Sequence, residues 1–408
     1  MANPLIGKQI MLGITGSIAT YKAAELASHL SQQGAVVNTL LTEAAMQFIT
    51  PLTFQSVSGQ KAYTDADLWG GEGHIVHVNI GHTTDLLIIA PASANTIAKL
   101  AHGIADNLLT VTALAATCPL IIAPAMDAGM YQHPATVENV KILQSRGAFI
   151  VGPSEGHLAS GLIGAGRMED PDVVIAQARF LLSRSAPLRG KKIIVTAGGT
   201  REAIDPVRFL SNRSSGKQGY AIAQAALDMG SDVTLISAPT SLTPPYGCHL
   251  ITIESAEQML SSVLDHIPDA HALIMSAAVA DFRPAAVSRQ KIKKESGLDT
   301  LELEATSDIL VKVAEEKKKK GLDLKIVGFA AESENLKANA VKKMKAKHMD
   351  MIVANDISSA RAGFGVDTNE VLLIFADGSI EKLPLMPKID VAEKIIQHLT
   401  AWLIEGAS

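Results

Sequence analysis

Short apolar runs recur along the chain at spacings that predict alternating strands and helices. Residues 8–14 read as a strand that leads into the turn 13–17 (GITGS), and residues 18–33 carry apolar side chains at the period of a helix. Further apolar runs predict strands at 35–41, 85–90, 119–123 and 148–151. Strands that alternate with helices are typical of a parallel, doubly wound sheet.

The same order of elements begins again after a polar stretch at 183–190 (SRSAPLRG), which has the composition of a linker. Residues 191–200 read as a strand followed by a Gly-rich turn. The later predicted elements are a helix near 216–229, strands at 232–237, 272–276, 325–329 and 350–354, a hairpin at 370–383 around Asp377 and Gly378, and a last helix at 390–404. We therefore expect two tandem α/β domains, 1–186 and 187–408, each with a doubly wound, Rossmann-like parallel sheet.

Composition supports this picture and excludes some functions. Hydrophobic residues make up 47% of the chain, charged residues 19% and aromatic residues only 4%, which suits buried parallel strands covered by Ala-rich helices. A net charge of -5 gives no indication of nucleic-acid or membrane-surface binding. Residues 1–17 lack the basic n-region and small-residue cleavage site expected of a secretory signal, and no uncharged run approaches the ~20 residues of a membrane helix. Cys118 and Cys248 form neither a disulfide framework nor a zinc pattern. We expect a cytoplasmic protein.

Two turns in the first half present small and polar residues after predicted strands. The turn 13–17 places Gly16 and Ser17 before a helix, where free N–H groups and the helix dipole favour phosphate. The same turn is equally typical of a plain strand–helix connection. Ser93 and Asn95 follow the strand at 85–90, at the end where such sheets bind ligands.

Two other segments carry candidate chemistry. His74 and His77 lie in the segment GHIVHVNIG, and the pKa of histidine suits proton transfer near neutrality, although an isolated histidine is more often structural. Residues 124–130 (PAMDAGM) place Asp127 between two methionines. Taken alone, that methionine pair is more typical of packing than of chemistry.

Together these segments resemble the flavin-dependent cysteine decarboxylase family. The matches lie at 13–22, 77–81, 86–109 and 124–131, in family order, and cover most of residues 6–180. The resemblance implies a flavodoxin-like domain in which FMN oxidises the cysteinyl thiol of the substrate, so that carbon dioxide can leave and an enethiol results. It implies that His77 is the active-site base. It also implies that FMN is contacted by Gly16, Ser17, Ser93 and Asn95.

Two residues depart from the family pattern. Asp127 stands where the family has an asparagine that would contact the substrate. A carboxylate offers no amide donor and repels a substrate carboxylate if it is ionised, whereas a protonated Asp127 could still donate one hydrogen bond. Ser160 stands where a cysteine often assists the final reduction. Because serine is a far weaker acid than cysteine, either another donor acts in this step or the step is slow.

The second half carries several segments suited to anions. Residues 196–219 combine two Gly-rich stretches with Arg201 and Arg208 and lead into a helix, an array of donors that phosphates and carboxylates require. Other notable segments lie at 276–284 (SAAVADFRP), 291–294 (KIKK) and 328–333 (GFAAES). Lys343 and Lys347 share one helix face, a spacing that more often belongs to a solvated surface, as we expect for the lysine run 317–320.

Together these segments resemble the bacterial phosphopantothenate–cysteine ligases, which use CTP. The resemblance implies that Asn212 holds an acyl-cytidylate, and that Lys291, Lys343 and Lys347 neutralise the triphosphate together with a divalent cation, Mg²⁺ or Mn²⁺. The family's Pro-Asp-Ile stretch appears here with Ser307 in place of the proline. The implied nucleotide contacts are Met275, Ser276, Ala277, Asp281, Lys291, Ser307, Asp308, Ile309, Phe329, Lys343 and Lys347.

A ligase behind a decarboxylase resembles the bifunctional enzymes of coenzyme A synthesis. The resemblance implies that 4'-phosphopantothenate is joined to cysteine and that the product is decarboxylated to 4'-phosphopantetheine. It also implies a homo-oligomer, with trimeric decarboxylase and dimeric ligase units that could build a dodecamer. One alternative is an FMN-binding regulatory protein without ligase activity, which would not need a complete ligase half. Another is a nicotinamide-dependent oxidoreductase, which would need the G-x-G-x-x-G fingerprint that this chain lacks.

Overall fold

The computed structural model describes residues 3–69, 76–293, 300–332, 336–356 and 365–405. These residues form two compact units, Asn3–Leu182 and a second unit that begins at Ser183. Each unit has its own hydrophobic core on both faces of a central sheet. No helix in the described ranges combines the length and apolar character needed to cross a membrane.

The first unit is built on a six-stranded parallel sheet. Its strands are β1 (Gln9–Ile14), β2 (Val36–Leu41), β3 (Ala62–Tyr63), β4 (Leu86–Ala92), β5 (Leu120–Pro124) and β6 (Phe149–Ile150), followed by a separate antiparallel hairpin, β7 (Ser154–His157) and β8 (Ile163–Arg167). Its helices are α1 (Thr20–Gln32), α2 (Glu43–Met46), α3 (Pro51–Ser58), α4 (Val76–Thr83), α5 (Ala94–His102), α6 (Leu108–Ala115), α7 (Ala128–Gln132), α8 (Pro134–Ser145) and α9 (Pro171–Ser183), with a 3₁₀ helix at Asp65–Leu68.

The sheet order confirms the expected doubly wound fold. The strands lie in the order β3-β2-β1-β4-β5-β6, and all five pairings are parallel. Without the two-residue edge strand β3, the order β2-β1-β4-β5-β6 is the flavodoxin-like one. Alternate residues of β4 enter different cores, since Leu86 and Ile88 pack on one face while Leu87 and Ile89 pack on the other. This explains why β4 reads as an unbroken apolar run.

The second unit contains a larger mixed sheet. Its strands are β9 (Lys192–Ala197), β10 (Arg201–Ala203), β11 (Phe209–Ser211), β12 (Asp232–Ser237), β13 (His249–Thr252), β14 (Ala272–Met275), β15 (Phe282–Pro284), β16 (Leu303–Ala305), β17 (Lys325–Glu332), β18 (Met351–Asp356), β19 (Thr368–Phe375) and β20 (Ile380–Pro387). Its helices are α10 (Lys217–Asp228), α11 (Ala256–His266), α12 (Ile309–Lys320), α13 (Leu336–Ala346) and α14 (Lys388–Glu405), with a 3₁₀ helix at Ile267–Asp269.

The main sheet has the order β13-β12-β9-β14-β17-β18-β19-β20. Its first six strands are parallel and follow the order of dinucleotide-binding sheets, while β19 and β20 add an antiparallel hairpin at one edge. The hairpin predicted at 370–383 is therefore confirmed, with strands longer than expected. The pairs β10–β11 and β15–β16 lie outside this sheet. The sequence did not predict them because three-residue strands carry no readable alternation.

One local expectation is wrong. The stretch 183–190, interpreted as a linker, is partly packed into the second unit. Leu188 is fully buried in the second core, and its backbone N–H donates to the carbonyl of Met229. A single apolar residue among polar ones gives no pattern, so its burial could not be read from composition.

Candidate functional sites

In the first unit, the turns after β1 and β4 lie side by side at the carboxyl end of the sheet. These two strands are neighbours in the sheet but distant in the sequence, so this is the topological switch point where doubly wound sheets bind ligands. The buried Thr15 joins the turns. Its Oγ1 donates to the carbonyl of Pro91 at 2.8 Å and accepts from the N–H of Ser93 at 2.8 Å. The structure thereby brings the segment containing Gly16 and Ser17 beside the start of α5.

The groups at this edge suit the phosphate of a flavin nucleotide. Ser93 caps α5 by accepting from the N–H of Thr96 at 3.3 Å, and Asn95 is exposed in the first turn of the same helix. The Ser17 hydroxyl lies at the other turn, where it accepts from the N–H of Ala19 at 3.2 Å. Gly16 is required sterically because a Cβ there would lie 2.7 Å from the Cβ of Ala44. Hydroxyls and free N–H groups at a helix start are the donors that a phosphate needs.

His77 lies in the first turn of α4, which runs back from the carboxyl end of the sheet to the start of β4. The side chain is half-buried, and α4 packs against α6 and the 3₁₀ helix. Because α4 ends just before β4 begins, His77 lies at the end of the helix that is remote from the start of β4. His74, the other histidine of this segment, lies outside the described residues.

The two departures from the decarboxylase pattern touch each other. Asp127 Oδ2 accepts from the Ser160 hydroxyl at 2.6 Å, and Oδ1 accepts from the N–H of Gly129 at 2.9 Å. The bond from Ser160 and then that from Gly129 hold the pKa of Asp127 below its usual value. Near neutral pH the carboxyl group is therefore ionised and offers no donor. The sequence left open whether Asp127 is protonated, and this geometry stabilises its ionised form.

The hairpin that carries Ser160 is fastened to the turn after β5. The N–H of Met126 donates to the carbonyl of Gly166 at 3.0 Å. A Cβ at Gly166 would lie 2.2 Å from the carbonyl oxygen of Met126, so this contact requires glycine. The hairpin β7–β8 thus holds Ser160 over Asp127.

The second unit contains a cleft of about 680 Å³ at the carboxyl ends of β14 and β17. It lies where β9 and β14 are neighbours, which is the topological switch point of this sheet. The sequence-predicted residues that line it are Asn212, Met275, Ser276, Ala277, Asp281, Ser307, Asp308, Ile309, Phe329, Lys343 and Lys347. Eleven of the twelve residues expected in the ligase site therefore converge on one cavity.

The loops after β9 and β14 are joined across the cleft floor. Asn212 Nδ2 donates to the carbonyl of Val279 at 2.9 Å. The buried Thr196 accepts from the N–H of Ala277 at 3.1 Å, and the buried Thr200 accepts from the N–H of Ala280 at 2.9 Å. The two threonines were not predicted, because their role depends on a strand that is distant in sequence.

Residues 343–350 read K-x-x-x-K-x-x-D, and the charged residues of this motif lie in two separate places. Lys347 Nζ forms an ion pair with Asp308 Oδ2 at 2.8 Å, and Asp308 also caps α12 through the N–H of Val311. Asp350 lies at the opposite end of the sheet, where it accepts from the N–H of Ile326 and pairs with Lys325 at 3.7 Å. Only the lysines of this motif belong to the cleft.

Lys291 is the one predicted ligase residue that does not line the cleft. Its neighbour Ile292 is bound to the turn between β10 and β11, since the N–H of Ile292 donates to Asp205 Oδ2 at 3.1 Å and Arg208 donates to its carbonyl at 2.8 Å. Lys291 itself is exposed. Lys294, the last residue of the KIKK segment, lies outside the described residues.

Asp205 organises that turn. It is buried and accepts from the N–H groups of Val207 and Arg208 at 2.8 and 2.9 Å, besides the guanidinium of Arg208. The guanidinium first, and then these backbone donors, hold the pKa of Asp205 far below its ordinary range despite the burial. Arg208 was singled out from the sequence, but its partner Asp205 was not.

Comparison with known proteins covers the whole chain. Residues 188–403 match the DNA/pantothenate metabolism flavoprotein C-terminal domain, and residues 3–181 match the flavoprotein family. The coenzyme A biosynthesis bifunctional protein CoaBC of Bacillus subtilis (strain 168) is 47% identical over 400 residues, which cover 97% of this chain and 98% of that protein. The CoaBC protein of Vibrio vulnificus (strain CMCP6) is 40% identical over 397 residues, with 97% and 98% covered.

Among solved structures, the crystal structure of the C-terminal domain of a CoaBC protein is 41% identical, covers 54% of this chain and 100% of that chain, and superposes with a TM-score of 0.47. With relatives of this identity matched along nearly its whole length, the chain belongs to the family of bifunctional coenzyme A biosynthesis proteins CoaBC.

Proposed function

We propose that the second unit joins 4'-phosphopantothenate to cysteine with CTP, and that the first decarboxylates the product, 4'-phosphopantothenoylcysteine, to 4'-phosphopantetheine with FMN. As a member of the bifunctional family, the chain is both a decarboxylase and a ligase. The two activities divide into domains 1–186 and 187–408. The observation that supports the ligase half most directly is the single cleft on which eleven predicted residues converge.

In the ligase, the carboxylate of 4'-phosphopantothenate attacks the α-phosphate of CTP, which gives an acyl-cytidylate and releases pyrophosphate. The cysteine amine then displaces CMP. Lys343 and Lys347 neutralise triphosphate charge from the wall beside Asp308. Asn212 holds the acyl group, and its amide is already oriented by the carbonyl of Val279. Lys291 is exposed and outside the cleft lining, so its role at the nucleotide rests on the family resemblance.

A divalent cation, Mg²⁺ or Mn²⁺, would supply positive charge against the triphosphate in this cleft. The described residues contain no group of three or more metal-ligating side chains. The cleft does present two carboxylates, Asp281 and Asp308. Mg²⁺ is commonly bound by one or two carboxylates together with substrate phosphates, so this donor set fits an ion that arrives with the nucleotide.

In the decarboxylase, FMN supplies the redox chemistry when it is bound. Ser17, Ser93 and the start of α5 would hold its phosphate, and Gly16 and Asn95 would complete the contacts. His77 takes a proton from the substrate. The ionised Asp127 contacts the substrate through a geometry set by Ser160.

The alternative of an FMN-binding regulatory protein without ligase activity has no support, because residues 188–403 match the family's C-terminal domain. The proposal also includes a cytoplasmic location and a homo-oligomer of trimeric decarboxylase and dimeric ligase units, which could combine into a dodecamer. The expected molecular partners are therefore small substrates and further copies of this chain.

The test supplies 4'-phosphopantothenate, cysteine and CTP to the purified full-length protein and follows pyrophosphate and carbon dioxide together. We expect the protein to be yellow, and pyrophosphate to appear before carbon dioxide. Absence of CTP-dependent pyrophosphate release would contradict the ligase assignment. A colourless protein that FMN cannot reconstitute would contradict the decarboxylase assignment.

Two variants separate the steps. His77→Asn should keep bound flavin but lose carbon dioxide release, whereas His82→Asn, at the exposed far end of the same helix, should release it normally. Asn212→Ala should still release pyrophosphate but form little amide. Normal amide formation by Asn212→Ala would remove this residue from its proposed role.

A further inference from the structure

Two lysines without an assigned role also line the ligase cleft. Lys217 is the first residue of α10, and Lys388 is the first residue of α14. They are far apart in the sequence, but the packing of α10 against α14 brings them to the same cavity. Lys217 belongs to the segment 196–219, whereas no sequence pattern marks Lys388.

Lys388 is unusually enclosed for a lysine. Only 9% of the residue is exposed, and its Nζ donates to the carbonyl of Val366. An ammonium group carries three donors, but among the described residues Lys388 Nζ makes only this one hydrogen bond. The remaining donors have no protein acceptor among those residues, while the side chain lines an open cavity.

Lys217 is neutralised by one carboxylate. Its Nζ lies 2.6 Å from Asp367 Oδ1 and 3.1 Å from the carbonyl of Gly365. Burial and then the positive charge of Lys217 hold the pKa of Lys388 below its usual value, and Asp367 opposes this effect. Among the described residues, these two ammonium groups therefore have one nearby carboxylate, that of Asp367, and positive charge is left over on this side of the cleft.

The surrounding contacts hold both lysines in place. Gln218 Nε2 donates to the backbone carbonyl of Lys388 at 3.1 Å, and the backbone N–H of Lys388 donates to the backbone carbonyl of Asp367 at 2.9 Å. Asn369, which is buried, donates to Gln218 at 3.4 Å. Enclosing a charge without a partner is costly, so a rigid cluster with surplus positive charge is best explained by an anion that completes it.

We propose that Lys217 and Lys388 form a phosphate subsite of the ligase cleft. The free N–H groups at the start of the twelve-residue helix α10 add donors beside them. The subsite is distinct in composition from the wall of Lys343 and Lys347, where Lys347 is already paired with Asp308. The inference rests on the proposed ligase function, and the phosphate comes from one of its two phosphorylated substrates, CTP or 4'-phosphopantothenate.

The test compares the Lys388→Met and Lys217→Met variants with the wild-type protein. Methionine keeps the apolar part of the side chain and removes the charge. Lys382→Met is the matched control, because Lys382 lies on the exposed hairpin strand β20, outside the cleft, where it pairs with Glu370. Far-ultraviolet circular dichroism and thermal unfolding establish that each variant is folded.

Steady-state KM values for CTP, 4'-phosphopantothenate and cysteine then identify the source of the phosphate. We expect KM to rise about tenfold or more for one phosphorylated substrate, since a hydrogen bond to a charged group is lost. Unphosphorylated pantothenate serves as the comparison: if its KM is unchanged while that of 4'-phosphopantothenate rises, the phosphate ester is the ligand. If only the KM for CTP rises, the triphosphate is the ligand. Unchanged KM values for both in the Lys388→Met variant overturn the proposal and leave a structural role.

Asp367→Asn provides a test of opposite sign. Removing the competing carboxylate should tighten binding of the same phosphorylated substrate, whereas a purely structural ion pair would give only a lower Tm. Calorimetric titration of CTP and of 4'-phosphopantothenate measures these affinities without turnover. Wild-type protein that binds a substrate but makes no amide would contradict the proposed function alone, and lysine variants that bind both substrates as tightly as wild type would contradict the subsite alone.

Discussion

Asp127 shows how a single side chain changes the interpretation of a site. From the sequence, its carboxyl group could be a donor or an acceptor. The structure gives it two donors, the Ser160 hydroxyl and the N–H of Gly129, and therefore fixes it as an ionised acceptor. Because Ser160 lies in a hairpin that is distant in sequence, the two departures from the decarboxylase pattern are linked rather than independent.

Asp127→Asn should improve substrate binding in the decarboxylase. The substitution removes like-charge repulsion with the substrate carboxylate and restores an amide donor. We expect the KM for 4'-phosphopantothenoylcysteine to fall about fivefold, the scale of one charge–charge contact in water. Ser160→Ala is the control, because it removes one hydrogen bond but leaves the charge. A higher KM in Asp127→Asn would show that the carboxylate itself assists binding.

Asp205 makes the second unit sensitive to pH. Its partners hold its pKa below the ordinary value of 3.8, so its contribution to stability is present above that pH and is lost as the pH falls through the lower value of the folded state. Asp205→Asn should therefore lower Tm at pH 7. The difference in Tm between wild type and variant should shrink progressively below about pH 4. A difference that stays constant down to pH 2 would contradict this account.

At the scale of elements, close packing of α10 on β9 positions the ligase cleft. A Cβ at Gly219 would lie 2.6 Å from the Cβ of Ala197 and 2.9 Å from the carbonyl oxygen of Thr196. Gly219 therefore lets the helix approach the strand, which is the role of a glycine at the start of a helix in dinucleotide-binding folds. The glycine can be read from the sequence, but the strand against which it packs cannot.

Gly219→Ala should push α10 away from β9. Overpacking of this kind costs about 1–3 kcal/mol, because neither the backbone of Thr196 nor Ala197 can move aside easily. Urea unfolding of the variant measures the loss. The displaced helix start should also raise the KM for the substrate bound near Lys217. Unchanged stability would mean that helix and strand separate without cost.

At the scale of the molecule, the two units carry separate cores. A fragment of residues 183–408 should fold and release pyrophosphate from CTP in the presence of 4'-phosphopantothenate. Its stability should depend on Leu188, which is fully buried before the first strand of that unit. In this fragment, Leu188→Ala should lower the free energy of unfolding by about 2–5 kcal/mol.

Leu385→Ala in the same fragment is the matched control, since Leu385 is an exposed residue of β20 and should change stability little. Urea unfolding followed by circular dichroism measures both variants. An insoluble fragment, or equal effects of the two substitutions, would contradict the independence of the second unit.

The sequence by itself determined the strand–helix alternation, the two α/β units and the segments that meet at the ends of the strands. These features are local: apolar runs such as 86–92, Gly-rich turns such as 13–17 and short motifs can be read within a few residues. Only the tertiary structure decided which distant side chains meet. Asp127 pairs with Ser160, Asp205 binds the backbone of Ile292, and Lys388 joins Lys217 at the cleft. Each of these contacts depends on how helices and hairpins pack against the sheets, and that packing is set by the summed burial of many residues rather than by any local pattern.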